Sequence, residues 1–309
     1  MNRVAGRSRR GVSTHKSVVR RARPARPRKW RSLLALFAVG LLGACGHDGE
    51  LLQHYKVEAG EPAARVLFLA GRDSHGPWAH EHRAGSLLLA QALRRQQPDF
   101  DVQVVYGGWP ADEAILRGVD SVVLYADGGP GHMINAHLPR FQQLLDDGVG
   151  VVALHYAVEV PPGGEAASAM LRAIGGYFET HWSVNPHWRA HFASLPEHPV
   201  TRGIAPFALK DEWYFNMRFV PQMAGVAPLL SAVAPLETMQ RDNGPHSGNN
   251  AVRELVAAGQ PQIVAWAYER PQGGRGFGYT GGHFHANWEN DNARQLVLNA
   301  IVWTARRGP

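Results

Sequence analysis

The chain is poor in cysteine, in long apolar runs and, over its first 44 residues, in carboxylates. One cysteine in 309 residues, Cys45, excludes a disulfide framework and any cysteine-built zinc knuckle. No apolar run reaches the length of a membrane-spanning helix. Residues 1–44 hold twelve of the 32 Lys and Arg but no Asp or Glu, so the rest of the chain sets 20 basic against 26 acidic side chains. The formal charge of +6 is therefore a property of the N-terminus, and a nucleic-acid partner is excluded for the remainder. Neither Gly128-Gly129-Pro130-Gly131 nor Gly273-Gly274-Arg275-Gly276 matches a phosphate loop or a dinucleotide fingerprint, and no Gly-x-Ser-x-Gly elbow occurs. No repeat of fixed period is present. What remains, 45% apolar and 9% aromatic residues, is enough for a sizeable core in one large domain or two small ones.

The basic run from Arg3 to Arg31 leads into an apolar stretch, Leu33 to Leu42, that closes on Leu42-Gly43-Ala44-Cys45. This pattern resembles a bacterial lipoprotein signal peptide with its lipobox. The resemblance implies acylation of Cys45, anchorage to a membrane surface through it, and cleavage after Ala44. Gly46 in place of Asp resembles the outer-membrane sorting class, facing the periplasm. Residues 1–44 thus read as a signal peptide, 45–60 as a tether and 61–309 as the folded domain.

Within that domain, Arg65–Ala70, Val102–Tyr106, Ser121–Tyr125 and Gly150–Leu154 are short apolar runs that read as buried strands. Helical patterns occupy Glu81–Arg95 and Asn135–Asp146 between them, and Asp291–Ala305 closes the chain. Strands alternating with helices imply right-handed crossovers and a doubly wound parallel α/β sheet covered on both faces. From His181 to Pro245 the texture becomes rich in Trp, His, Pro and Asn, which reads as an inserted elaboration with strands near His187–Ala193 and Leu229–Ala232. Gln262–Tyr268 and Gly276–Thr280 are later strands placed to pair through Gly273-Gly274.

Ligands in such a sheet bind outside the carboxyl ends of the strands. Four predicted ends carry histidine: His75 after the first, His132 after the third, His155 after the fourth, and His283 with His285 after the last. In a locally extended chain, His283 and His285 point to one side, a spacing compatible with one metal ion. His80, His82, His187, His191 and His198 read as surface or structural. Of the adjacent carboxylates Asp211 and Glu212, at most one enters a site; Glu212 is the candidate ligand or proton acceptor, with Asp211 orienting it. Asp73, Trp182, Trp213 and Tyr214 are candidate substrate-binding residues, the aromatics by offering ring faces.

The segments Gly175-Gly176-Tyr177-Phe178, His198 to Gly203, Asp211-Glu212-Trp213-Tyr214, Gly244 to Asn249 and Gly276 to Trp303 resemble the ThuA-like family, named for trehalose utilisation. The resemblance runs from Arg65 to Ala305 and implies the flavodoxin-like fold of the class I glutamine amidotransferase-like superfamily. In those glutaminases a cysteine nucleophile follows a central strand, whereas here His155-Tyr156 stands at that turn, so thiolate chemistry is excluded. The resemblance further implies a sugar-processing enzyme acting on keto-sugars made by a sugar dehydrogenase. Its chemistry is proton removal beside a carbonyl, with a divalent metal, zinc or manganese, as electrophile. His155, His283 and His285 are the expected metal ligands, and His155, Glu212 or His75 the expected catalytic groups. A non-catalytic carbohydrate-binding lipoprotein and a metal-assisted hydrolase are the alternatives.

Overall fold

Apolar runs without solvent-facing alternation supply the middle of one sheet. The computed structural model describes residues 49–57 and 60–305; the expected leader and Cys45 lie outside them. In chain order the elements are β1 (Glu50–Tyr55), β2 (Ala64–Ala70), α1 (His82–Gln96), β3 (Phe100–Tyr106), β4 (Ser121–Tyr125), α2 (Leu138–Asp146), β5 (Gly150–Leu154) and α3 (Gly164–Ile174). Next come β6 (Gly176–Tyr177), β7 (His187–Phe192), β8 (Phe207–Glu212), β9 (Arg218–Phe219), β10 (Val226–Val233), α4 (Asn250–Ala257), β11 (Pro261–Glu269), β12 (Arg275–Tyr279) and α5 (Asp291–Ala305). The main sheet runs β1-β3-β2-β4-β5-β12-β11-β10. Its five central strands, β3-β2-β4-β5-β12, are parallel and keep the flavodoxin order.

Every residue of β4 and β5 is buried, as expected for strands covered on both faces. Leu89 and Leu93 of α1 and Leu296, Val297 and Ile301 of α5 pack in one core with Phe68 and Val123. Phe141 and Leu144 of α2 and Met170 and Ala173 of α3 pack on the other face with Leu67 and Leu124. The two helix layers make the sheet doubly wound.

The doubly wound sheet is parallel at its centre, as expected, and β1, β11 and β10 extend it through antiparallel pairings, β11 meeting β12 across Gly273-Gly274 as their sequence suggests. One expectation needs correction. The expected tether is in part structured: Glu50–Tyr55 is the edge strand β1, paired with β3. Its side chains are mostly exposed, so it carries no apolar alternation to read. The inserted region between α3 and β11 gives β10 to the main sheet and folds β7 and β8 into a separate hairpin. Among the described residues, no helix is long and apolar enough to cross a membrane.

His132 lies beyond β4 but serves packing. It is 2% exposed, its Nε2 bonds to the Ala157 carbonyl and its Nδ1 accepts the Ile134 amide. Burial pushes its pKa down to about 4 from 6.5, against the Ala157 hydrogen bond. The unfolded chain therefore binds a proton that the folded one refuses between these values. Stability from this group is complete above pH 6.5 and is lost as pH falls towards 4, by about 1.4 kcal/mol per unit. His132→Asn, which keeps an acceptor for Ile134, is expected to flatten the decline of urea-unfolding free energy between pH 7 and 5. Parallel pH profiles for the two proteins would contradict this.

Candidate functional site

Four side chains from distant parts of the chain converge at the carboxyl rim of the sheet. His80 comes from the loop after β2, His155 comes directly after β5, Glu212 ends β8 and His283 lies just past β12. His80 Nε2 lies 2.9 Å from His155 Nε2 and 3.0 Å from His283 Nδ1. His283 Nδ1 is 3.3 Å from His155 Nε2 and 3.2 Å from Glu212 Oε2, which is 3.5 Å from His155 Nε2. All four candidate ligand atoms lie within 4.8 Å of one another.

The outward ring atoms decide what these nitrogens present. His155 Nδ1 faces the Thr280 carbonyl at 2.9 Å, an acceptor only, so Nδ1 carries the proton. His80 Nδ1 faces Asp127 Oδ1 at 2.8 Å, with the same consequence. Both Nε2 atoms therefore aim lone pairs at each other beside a carboxylate. Tyr214 Oη, 3.2 Å from His155 Nε2 and 3.3 Å from Glu212 Oε2, brings one proton for several acceptors. His283 Nδ1 adds at most one more proton, so the set is short of donors, a shortage that a cation within it would relieve. A protonated His80 is disfavoured, because burial takes its pKa down to about 4 despite the Asp127 hydrogen bond. Burial would push the Glu212 carboxyl up, but the facing imidazoles of His155, His187 and His283 outweigh it and hold it well below the usual carboxylate range. Burial, then Glu212, keep Tyr214 protonated far above its ordinary value.

The residues present fit a divalent metal. Bonds of about 2.0–2.1 Å to zinc put neighbouring ligands about 3.3 Å apart, and five of the six separations among these four atoms, 2.9–3.5 Å, bracket that figure; a substrate oxygen would be a fifth ligand. Imidazoles whose other nitrogen is held by a carboxylate and a carbonyl are the usual surroundings of metal-binding histidine.

The backbone is bent to make this arrangement. His155 has φ +54°, His80 φ +48° and His75 φ +64°, left-handed values that non-glycine residues adopt at a cost. Ala79 and Phe284 bridge antiparallel, and the His80 amide donates to the His283 carbonyl, tying the first loop to the last. Fully buried Asp211 accepts the amides of Gly282 and His283 at 2.7 and 3.1 Å. It thereby holds the backbone of one candidate ligand, and it also accepts the amide of Glu212 at 2.8 Å.

The expected site residues divide clearly. His155, Glu212, His283 and Tyr214 come together. His75 lies beside them, exposed, its ring 3.8 Å from that of His80. His285 is not in the cluster: a 3-10 helix begins there, which breaks the extended geometry, and its Nδ1 turns towards Glu81 at 3.8 Å. Trp213 is fully buried with its Nε1 donating to Leu209, so it presents no face to a substrate. Asp73 accepts the Arg83 amide in the first turn of α1. Trp182 is covered by the Arg218 guanidinium at 3.9 Å.

Two residues that read as surface or structural lie in the cluster or beside it. His80 sits well past the end of β2, beyond a scan of strand ends. His187 is exposed but is the cross-strand partner of Glu212, with Nε2 3.6 Å from Oε1. A pocket of about 290 Å³ lined by Asn185, His187, Glu212, Glu237 and Arg241 opens onto this side.

Residues 65–304 match the ThuA family, described as trehalose utilisation. The chain belongs to this family. A ThuA-like protein from Bacteroides uniformis superposes with a TM-score of 0.54 at 18% identity, over 80% of this chain and 93% of that one. A ThuA-like protein from Parabacteroides merdae gives 0.52 at 18% identity, with the same coverage. These likenesses concern the fold alone. No protein of curated function matches the sequence.

A cation that binds only the folded ThuA domain stabilises it by mass action. Zinc or manganese at a hundredfold excess over Kd is expected to add about 2.7 kcal/mol, raising Tm by about 5–10 °C. Asp127→Ala, which frees the outer nitrogen of His80, is expected to weaken that affinity about 10- to 100-fold. Thermal shifts with graded metal check both; a Tm indifferent to metal would contradict the reading.

Proposed function

We propose that this ThuA protein is a metal-dependent enzyme that converts an oxidised (keto) sugar by moving a proton at the carbon beside the carbonyl. The observation that carries the reading is the convergence of His80, His155, His283 and Glu212 with the outer nitrogens of His80 and His155 already committed as donors. The sugar class comes from the family's description, trehalose utilisation.

A bound divalent ion supplies Lewis acidity, which makes a carbonyl easier to polarise and its neighbouring C–H easier to deprotonate. The chain's own groups do the rest. Asp127 and the Thr280 carbonyl fix two imidazole rings and their tautomers. Tyr214, protonated and 2% exposed, offers a hydrogen bond to a developing oxyanion near its hydroxyl. His187 and Arg241 line the entry with polar donors suited to sugar hydroxyls. Burial of the site keeps water from the charged groups, which strengthens each electrostatic contact. A thiolate mechanism has no nucleophile, since the only cysteine is Cys45.

A keto-sugar substrate calls for a dehydrogenase acting before this enzyme. A lipid anchor on Cys45 would hold it at the outer membrane, facing the periplasm. A purely sugar-binding role is less well supported, because Trp213 is sealed in the core and Trp182 is covered by Arg218.

Keto-trehalose, with one ring hydroxyl oxidised to a ketone, is the test substrate. In deuterated water the protein is expected to place deuterium on carbon next to the carbonyl, read by NMR. Chelator should abolish the exchange, zinc or manganese should restore it, and Glu212→Gln should slow it about a hundredfold. Exchange untouched by chelator would refute the metal-assisted mechanism. Release of free monosaccharide without carbon-bound deuterium would assign hydrolysis instead.

A further inference from the structure

Proton removal from carbon needs a base that is not spent on holding the centre, and His80, His155, His283 and Glu212 all turn into it. A second titratable pair lies nearby. Glu159, at the end of the short 3-10 turn after β5, is 2% exposed, and both its carboxylate oxygens face His246 Nε2, at 3.1 and 3.2 Å. The half-buried His246 ring packs 5.4 Å from Phe178, and Phe178 packs 5.3 Å from Tyr214, whose hydroxyl reaches His155. The His246 carbonyl accepts from the Asn185 amide and from Arg241, two residues that line the pocket opening onto Glu212.

We propose that Glu159 and His246 form the acid–base couple of the site, His246 exchanging the proton with substrate carbon through Nδ1 while Glu159 positions its ring. The assignment rests on the functional reading above. Because the carboxylate only accepts, Nε2 must carry a hydrogen, and in the neutral ring this leaves Nδ1 as the unprotonated, basic nitrogen. Glu159 raises the basicity of His246, burial opposes it, Arg241 lowers it and Glu212 raises it; the net direction is upward. Gly129 bends at φ +62° against this pair, and a Cβ there would fall 3.3 Å from Glu159 Oε1 and 3.5 Å from the Tyr156 hydroxyl. Its lack of a side chain leaves the carboxylate undisturbed.

The step balances without a co-reactant. The C–H bond beside the carbonyl breaks, its proton passes to Nδ1, and the electron pair moves through the C–C bond onto the carbonyl oxygen. The imidazolium then returns a proton to the former carbonyl carbon while the hydroxyl proton crosses between the two oxygens. One carbon is oxidised and its neighbour reduced, so no external oxidant is required.

The test uses the full chain loaded with zinc or manganese and keto-trehalose in deuterated water. His246→Gln is expected to slow deuterium incorporation at least about a hundredfold, with metal content and KM unchanged. His246→Gly should behave alike, and added imidazole should restore part of its rate, which a merely structural role would not allow. Glu159→Gln should move the acid limb of the kcat/KM profile to lower pH. Wild-type exchange rates in His246→Gln, with the parent enzyme active, would overturn this assignment and leave the functional reading standing. No exchange by the parent enzyme would overturn both.

Discussion

A shortage of proton donors among buried acceptors is the constraint around which this end of the fold is arranged. His80 and His155 each give their Nδ1 hydrogen away, to Asp127 and to the Thr280 carbonyl, and are left with lone pairs 2.9 Å apart. Glu212, depressed in pKa by the facing imidazoles, adds negative charge rather than a proton. An apolar or fully satisfied version of this cluster would cost less to fold. That a marginally stable chain tolerates the cost, and adds left-handed backbone at His75, His80 and His155, points to a positive charge that repays it.

The sheet explains why the cluster forms where it does. In the flavodoxin order the strands flanking the reversal leave a crevice at their carboxyl ends, and here β2 and β4 flank it and lead to His80 and Asp127. β5 and β12, one and two strands further along, lead to His155 and His283. The insertion then contributes the carboxylate of the four-residue cluster itself. Its β7–β8 hairpin brings Glu212, with His187 opposite, and Asp211 binds the hairpin to the loop after β12 through two backbone amides. A carboxylate pair adjacent in sequence thus divides its work, one member clamping backbone and one entering the site, as opposite-facing neighbours in a strand must.

Much of this is legible in the sequence. The buried strands stand out as short apolar runs, and their alternation with helices implies the doubly wound class. His155 and His283 stand directly past strand ends, where such sheets bind ligands, and Glu212 is the inward-turning member of a carboxylate pair with Tyr214 two residues on. The misses have separate causes. His80 hides in a long loop, where no periodicity says which residue folds back to the rim. His285 is misplaced by an i, i+2 rule that holds only while the chain stays extended, and a 3-10 helix starts there. Trp213 has the composition of a ligand platform, but only three-dimensional packing reveals that it is sealed beneath Gly281, where even a Cβ would lie 2.5 Å from its ring. The strand at Glu50–Tyr55 is held by backbone pairing rather than by its side chains, and so carries almost no sequence signal.

The central claim is that a divalent cation belongs among these four side chains. Anomalous diffraction from crystals of the protein grown with zinc or manganese tests it most directly. The account predicts one anomalous peak within bonding distance of His80 Nε2, His155 Nε2, His283 Nδ1 and Glu212 Oε2. A peak elsewhere, or a centre that stays metal-free at saturating zinc and manganese, would contradict it.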